Sequence, residues 1–276
     1  MPSIIGCIQK YGVPHVGGDW LIVVIRILFW IYTPVTFIVA IIQYSQLFLG
    51  PKLAVSSMTP GWLLPIFPVM LVGTMSSLIA MDQPPTQRLP ILVAGVTMQG
   101  LGFWVALIVY AVFLTRLFQY GMPQYGLRPG LFISVGPPSF TGLALIGMSQ
   151  AIPPDYGYFA THPGALDTAQ SIALAFAIFI WSLAFWFFCI STISCVVTIP
   201  HMEFHLVWWA FIFPNVGFTI STISIGTQLG SQGILWVGSV MTCLLVAMYL
   251  FVFVMMVRAI AQNQILWPFK DEDKDE

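Results

Sequence analysis

Charge is what this sequence lacks. Only 7% of its 276 residues are Asp, Glu, Lys or Arg, against about a quarter in an ordinary soluble domain. So few charges cannot cover a water-facing surface, and a soluble globular fold is excluded. The formal net charge of -1 says nothing about nucleic acid, but there is no basic patch, and no nucleic-acid partner is expected. No G-x-x-x-x-G-K-[ST] loop is present, which argues against ATP-driven work by this chain. There is no Asn-x-Ser/Thr sequon, and Met1 to Gly18 has no continuous apolar run of the signal-peptide kind. Cysteine is sparse, and Cys7, Cys189, Cys195 and Cys243 have no metal-ligand spacing. The stretch His201-Met-Glu203-Phe-His205 has ligand residue types, but it lies in a short turn where polar residues are ordinary. No metal or cofactor is expected. No nucleophile is placed beside a base, so the chain does not read as an enzyme.

What is abundant is apolar residues, at 58%. They fall into seven long segments near Trp20–Phe48, Gly61–Met81, Pro90–Arg116, Pro129–Ala151, Ala165–Ile199, His205–Gly226 and Gly233–Ala261. Each is long enough to cross a bilayer, which needs roughly 20 apolar residues. The reading is an all-α integral membrane protein of seven spans, with residues 1–269 as the transmembrane domain. The run KDEDKDE, residues 270–276, reads as an acidic, solvated tail. The loops on one side carry Lys10 and Arg88. Those on the other, with the C-terminus, carry Lys52, Arg116, Arg128, Arg258, Lys270 and Lys274. The positive-inside rule puts the second side, and the C-terminus, in the cytoplasm.

Three alternate segments share an element: WLLPIFPVMLVGT from Trp62, LFISVGPPSFTGLAL from Leu131 and WWAFIFPNVGFTIST from Trp208. A large apolar residue precedes a proline by six positions in each, as Trp62/Pro68, Leu131/Pro137 and Trp208/Pro214. Gly73, Gly142 and Thr219 follow about a turn later. Proline removes a backbone donor and clashes with the turn before it, so these three helices should kink or break in mid-membrane. Freed backbone is tolerated there only when protein buries it or it lines a wet cavity. All three run in one direction. The expectation is therefore a ring of hairpins around a central pore, with broken helices inside and unbroken ones facing lipid. The broken helices bring Thr74, Ser76, Ser77, Ser134, Ser139, Thr141, Asn215, Thr219, Ser221 and Thr222, and no charge. Of these Ser134, Ser139, Thr141, Asn215 and Thr219 are the foremost lining candidates, with Arg128 at the mouth. Hydroxyl donors and the positive ends of interrupted half-helices suit a small anion.

The stretches Leu127–Leu145 (LRPGLFISVGPPSFTGLAL), Trp208–Thr219 (WWAFIFPNVGFT), Thr59–Thr74 and Tyr11–Leu21 resemble the fungal malic acid transport proteins. These belong to the tellurite-resistance/dicarboxylate transporter family, which also holds slow anion channels and sulfite pumps. The resemblance implies ten helices as five hairpins around a pore, homotrimers with one pore per subunit, and C4-dicarboxylates such as malate as substrate. It also implies a plasma-membrane location. Phe213, before the proline of the aromatic-rich motif, is similar to the phenylalanine that plugs the family's pore. Matched by motif, the seven segments resemble helices four to ten, and Ile4 to Lys10 resembles the end of helix three. Two alternatives stay open: a sulfite efflux pump or anion channel of the same family, and a truncated, non-transporting fragment.

Overall fold

The computed structural model describes residues 2–202, 204–262 and 265. Among them all regular structure is helical. The acidic tail at 270–276 and Glu203 lie outside the described residues. Seven helices organise the chain: α1 (Trp20–Leu49), α2 (Phe67–Ile79), α3 (Pro85–Tyr120), α4 (Gly136–Gln150), α5 (Ala165–Val196), α6 (Phe213–Gln228) and α7 (Gln232–Ala261). The helix Pro2–Cys7 precedes them and packs on α2.

α1, α3, α5 and α7 are long, unbroken and apolar. α4 and α6 are continued upstream by 3₁₀ turns, at Tyr125–Val135 and Leu206–Phe211. With these extensions, six helical stretches among the described residues are long and apolar enough to cross a membrane. The second expected span is the exception. Phe67–Ile79 has 13 residues, about 20 Å at 1.5 Å per residue, short of a hydrocarbon core of about 30 Å. It reaches further only with the separate 3₁₀ turns Pro60–Leu63 and Ala80–Asp82 at its two ends. α3 begins earlier than its apolar run, at Pro85, which leaves Pro90 inside the helix.

The prolines of the repeat explain the broken members. Pro68, Pro137 and Pro214 each stand in the first turn of an α-helix rather than in its interior. A first-turn N–H has no intrahelical acceptor, so proline costs little there and its fixed φ starts the helix. The chain approaches as tight 3₁₀ turns and restarts as α-helix at the proline. The effect is a break.

The broken helices form the inside of the molecule. α4 packs against both α2 and α6, and each inner helix packs against the long helix that follows it, giving hairpins α2–α3, α4–α5 and α6–α7; α1 covers α2. The inner three are parallel. A Cβ on Gly147, late in α4, would meet Ser77, late in α2; one on Gly142, early in α4, would meet Ser221 in α6. Burial separates the two classes. In the most apolar stretch of Tyr125–Gln150, 78% of residues are buried, against 6% in α7. Glycines close the α2–α3 hairpin: Gly95 lies against Ser76 and Gly102 against Met70. Small residues of this kind let membrane helices approach without a hydrophobic drive.

Candidate functional site

The three restarts meet. Phe67 and Phe213 occupy the same place in the repeat, immediately before the proline, and Gly136 is their counterpart in α4. A Cβ on Gly136 would fall 2.5 Å from Phe67 Cζ and 3.6 Å from Pro214 Cβ. The missing side chain therefore makes room for the Phe67 ring between the other two helix starts. Phe140, one turn into α4, stacks on Phe213 with ring centroids 5.0 Å apart and planes at 27°. Phe67 meets Phe213 at 5.8 Å and Phe140 at 6.4 Å, both edge-on. Three phenylalanines, one from each broken helix, thus sit together where the half-helices begin. Phe67 and Phe140 are buried, whereas Phe213 is 40% exposed. Ile220, two turns along the same face of α6, is exposed as well.

The breaks leave carbonyls without backbone donors, and side chains supply them. Ser134 O would take an N–H from residue 137 or 138, and both are proline. It accepts instead from Tyr110 Oη of α3 at 2.8 Å. Pro65 removes the i+3 donor of Trp62 O, which accepts from Tyr44 Oη of α1 at 3.0 Å. Pro214 removes the i+3 donor of Phe211 O, which accepts from Asn215 Nδ2 at 2.9 Å. Tyr32 Oη adds a bond to Pro68 O at 3.0 Å. Outer-helix tyrosines thus hold the first two broken helices in place, and a buried polar backbone is kept paired. Tyr44 and Tyr110 do not stand out in an apolar sequence; their signal is the proline one turn past the carbonyl each one serves.

The hydroxyl candidates divide. Ser139 Oγ donates to Val135 O at 2.6 Å and Thr141 Oγ1 to Pro137 O at 2.7 Å. Both serve their own helix, as Ser and Thr do in membrane helices. Thr141 also accepts from Gln99 Nε2 of α3 at 2.8 Å. With Gln99 it lies in the floor of an apolar groove of about 670 Å³ between α3 and α5, so Thr141 faces the outer helices. Thr222 Oγ1 donates to Phe218 O and accepts from Trp181 Nε1. Ser134 Oγ, Thr74 Oγ1, Ser221 Oγ and Asn215 Oδ1 are buried atoms with no partner among the described residues. Ser134 and Asn215 flank the phenylalanine cluster in sequence, two residues from Gly136 and Phe213 respectively. Thr219 is buried in α6.

Arginines tie up one end of the molecule. Arg128 Nε bonds Pro123 O at 3.1 Å, Arg128 Nη1 bonds Ser194 O at 3.2 Å, and the guanidinium stands 5.0 Å over the Tyr125 ring. Arg116 bonds Ser56 O and Gly121 O. The loops that the charge count assigns to one side are therefore bonded to one another. The opposite end has its own links, Gln9 to Asp82 and Gln83 to Ile22 O. Sequence reasoning did not single out Gln99, Phe67 or Phe140.

Comparison with known proteins gives the family. A family profile described as voltage-dependent anion channel matches residues 2–257. The chain is 35% identical over 274 residues to a malic acid transport protein of Schizosaccharomyces pombe, covering 98% of this chain and 62% of that protein. A putative malic acid transport protein of the same yeast is 34% identical, over 97% of this chain and 63% of its own length. A sulfite efflux pump of Trichophyton rubrum is 24% identical over 92% of this chain and 68% of the pump. The chain thus spans under two thirds of the length of the two malic acid proteins. No solved structure matches.

Proposed function

Because the chain belongs to the SLAC1 family of voltage-dependent anion channels, an anion-transport and not an enzyme family, we propose that it moves small anions across a membrane, with C4-dicarboxylates such as malate as the substrate class. The convergence of three half-helix starts on one phenylalanine cluster carries the reading. Helix starts present positive partial charge, and the inner helices hold no charged side chain to trap an anion. The field is shallow, so an anion can both enter and leave. Asn215, Ser134 and Thr219 are the polar groups on the broken helices that could meet it. Phe213 is the gate: an exposed ring in a narrow apolar path excludes water and ions until it swings aside. Arg128 stands near the cytoplasmic mouth. The functional unit is a homotrimer in the plasma membrane, seven spans per subunit, with the C-terminus inside. Two relatives named for malic acid transport, both at about 35% identity, favour malate over sulfite, whose pump is only 24% identical.

The test is flux in proteoliposomes made with the purified chain, using labelled malate, sulfite and nitrate in parallel. Malate uptake above empty vesicles is the predicted result. Sulfite or nitrate flux without malate flux would reassign the substrate, and no flux of any of the three would support the non-transporting alternative.

A further inference from the structure

The three rings of the cluster are not equivalent, and the glycines around them show why. Gly217 lies one turn beyond Phe213 on the same face of α6. A Cβ there would stand 2.8 Å from both Phe140 Cε2 and Cζ and 3.0 Å from Cδ2. The Phe140 ring is therefore set into a notch in α6 that only glycine leaves open. Phe67 is held in the same manner by the notch at Gly136. Both rings are enclosed, at 6% and 5% exposure, while Phe213 at 40% is the one with a free side. Its other side is the stack on Phe140.

From this we infer that Phe140 is the positioning residue of the gate: its ring, locked in the Gly217 notch, is the fixed plate against which Phe213 closes, with Phe67 as an edge-on side wall. The inference rests on Phe213 being the gate. Opening then means parting the 213–140 stack while Phe140 stays in place. The closed state is held by ring–ring contact and not by a hydrogen bond or an ion pair, so it carries no titratable group. An aromatic pair adds enough to shift a two-state equilibrium by roughly two- to tenfold.

The experiment is a double-mutant cycle read by nitrate leak from proteoliposomes loaded with the full chain. Phe140→Ala and Phe140→Leu, which remove the stacking face and in the leucine case keep apolar volume, should each raise leak roughly two- to tenfold. Gly217→Ala should do the same by pushing Phe140 out of its notch. In a Phe213→Ala background all three should change nothing further, because the plate has no ring left to hold. A merely structural role for Phe140 would not produce that silence. If Phe213→Ala raises leak while the Phe140 variants do not, or if the two effects multiply, the plate assignment is overturned and the gate stands. If Phe213→Ala leaves leak unchanged, the gate reading falls and this inference falls with it.

Discussion

Replacing Tyr110 by phenylalanine isolates one hydrogen bond at the heart of the broken-helix design. The ring keeps its place: it is buried and lies 4.7 Å from the Phe187 ring, centroid to centroid. What disappears is the donor to Ser134 O at 2.8 Å. Pro137 and Pro138 occupy both positions that could have served that carbonyl from the backbone, so no local rearrangement recovers the bond. An unpaired buried acceptor costs about 1–3 kcal/mol. Interhelical hydrogen bonds in membrane proteins average only about 0.6 kcal/mol, with a ceiling near 1.7, because the unfolded state in the membrane finds other partners. With both local donors removed, the upper end applies, and Tyr110→Phe should cost about 1.5 kcal/mol. Reversible unfolding in mixed detergent micelles, fitted for wild type and variant, measures it. Tyr120→Phe, at an exposed position, is the control and should cost nothing measurable. A cost for Tyr110→Phe below about 0.5 kcal/mol would contradict a buried, singly served Ser134 carbonyl. It would mean that water reaches Ser134 O, and that the break lines a wet space instead of being buried in protein.

Other consequences follow from the same contacts. Tyr44→Phe removes the donor to Trp62 O; the i+4 N–H, of Ile66, now donates to Leu63 O but can shift one residue back to Trp62 O as a 3₁₀ turn becomes an α-turn, so the same unfolding assay should give a smaller cost, under about 1 kcal/mol. Gly102→Leu forces a side chain into Met70; overpacking of this kind costs about 1–3 kcal/mol and should lower the detergent unfolding midpoint. Gln99→Leu gives up a bond to Thr141 but also removes Oε1, a buried acceptor with no donor. Thr141 keeps its bond to Pro137 O, so this variant should fall within about 1 kcal/mol of wild type, and a larger loss would show that Gln99 holds something more.

Hydropathy marked the long apolar segments, and the Trp62/Pro68, Leu131/Pro137 and Trp208/Pro214 repeat marked the broken helices; proline alone did not, since Pro34 and Pro90 lie inside α1 and α3 without breaking them. Tyr125–Val135 shows the limit. An 11-residue 3₁₀ stretch has the same apolar composition as α-helix, and such runs are uncommon; only its interior Pro129 and the two prolines after it hint at the change. The same blindness hid that the α-helix within Gly61–Met81 has only 13 residues, with separate 3₁₀ turns at its two ends. Among the lining candidates, Ser139 and Thr141 were chosen by type. A hydroxyl four residues past a carbonyl will bond to it, and both do. The resemblance draws attention to Phe213, but nothing in the sequence draws attention to Phe67 and Phe140. Twenty-two phenylalanines in apolar runs look alike until a glycine on the neighbouring helix fixes which ring is enclosed.

We propose that Phe213 closes an anion path at the point where the broken helices begin. Nitrate leak through proteoliposomes carrying wild type or Phe213→Ala tests it most directly. Loss of the stack on Phe140 and the edge contact with Phe67, each worth about 0.5–1.5 kcal/mol, predicts a rise of roughly five- to hundredfold. Equal leak from the two proteins, at equal reconstitution and unfolding midpoint, would contradict it.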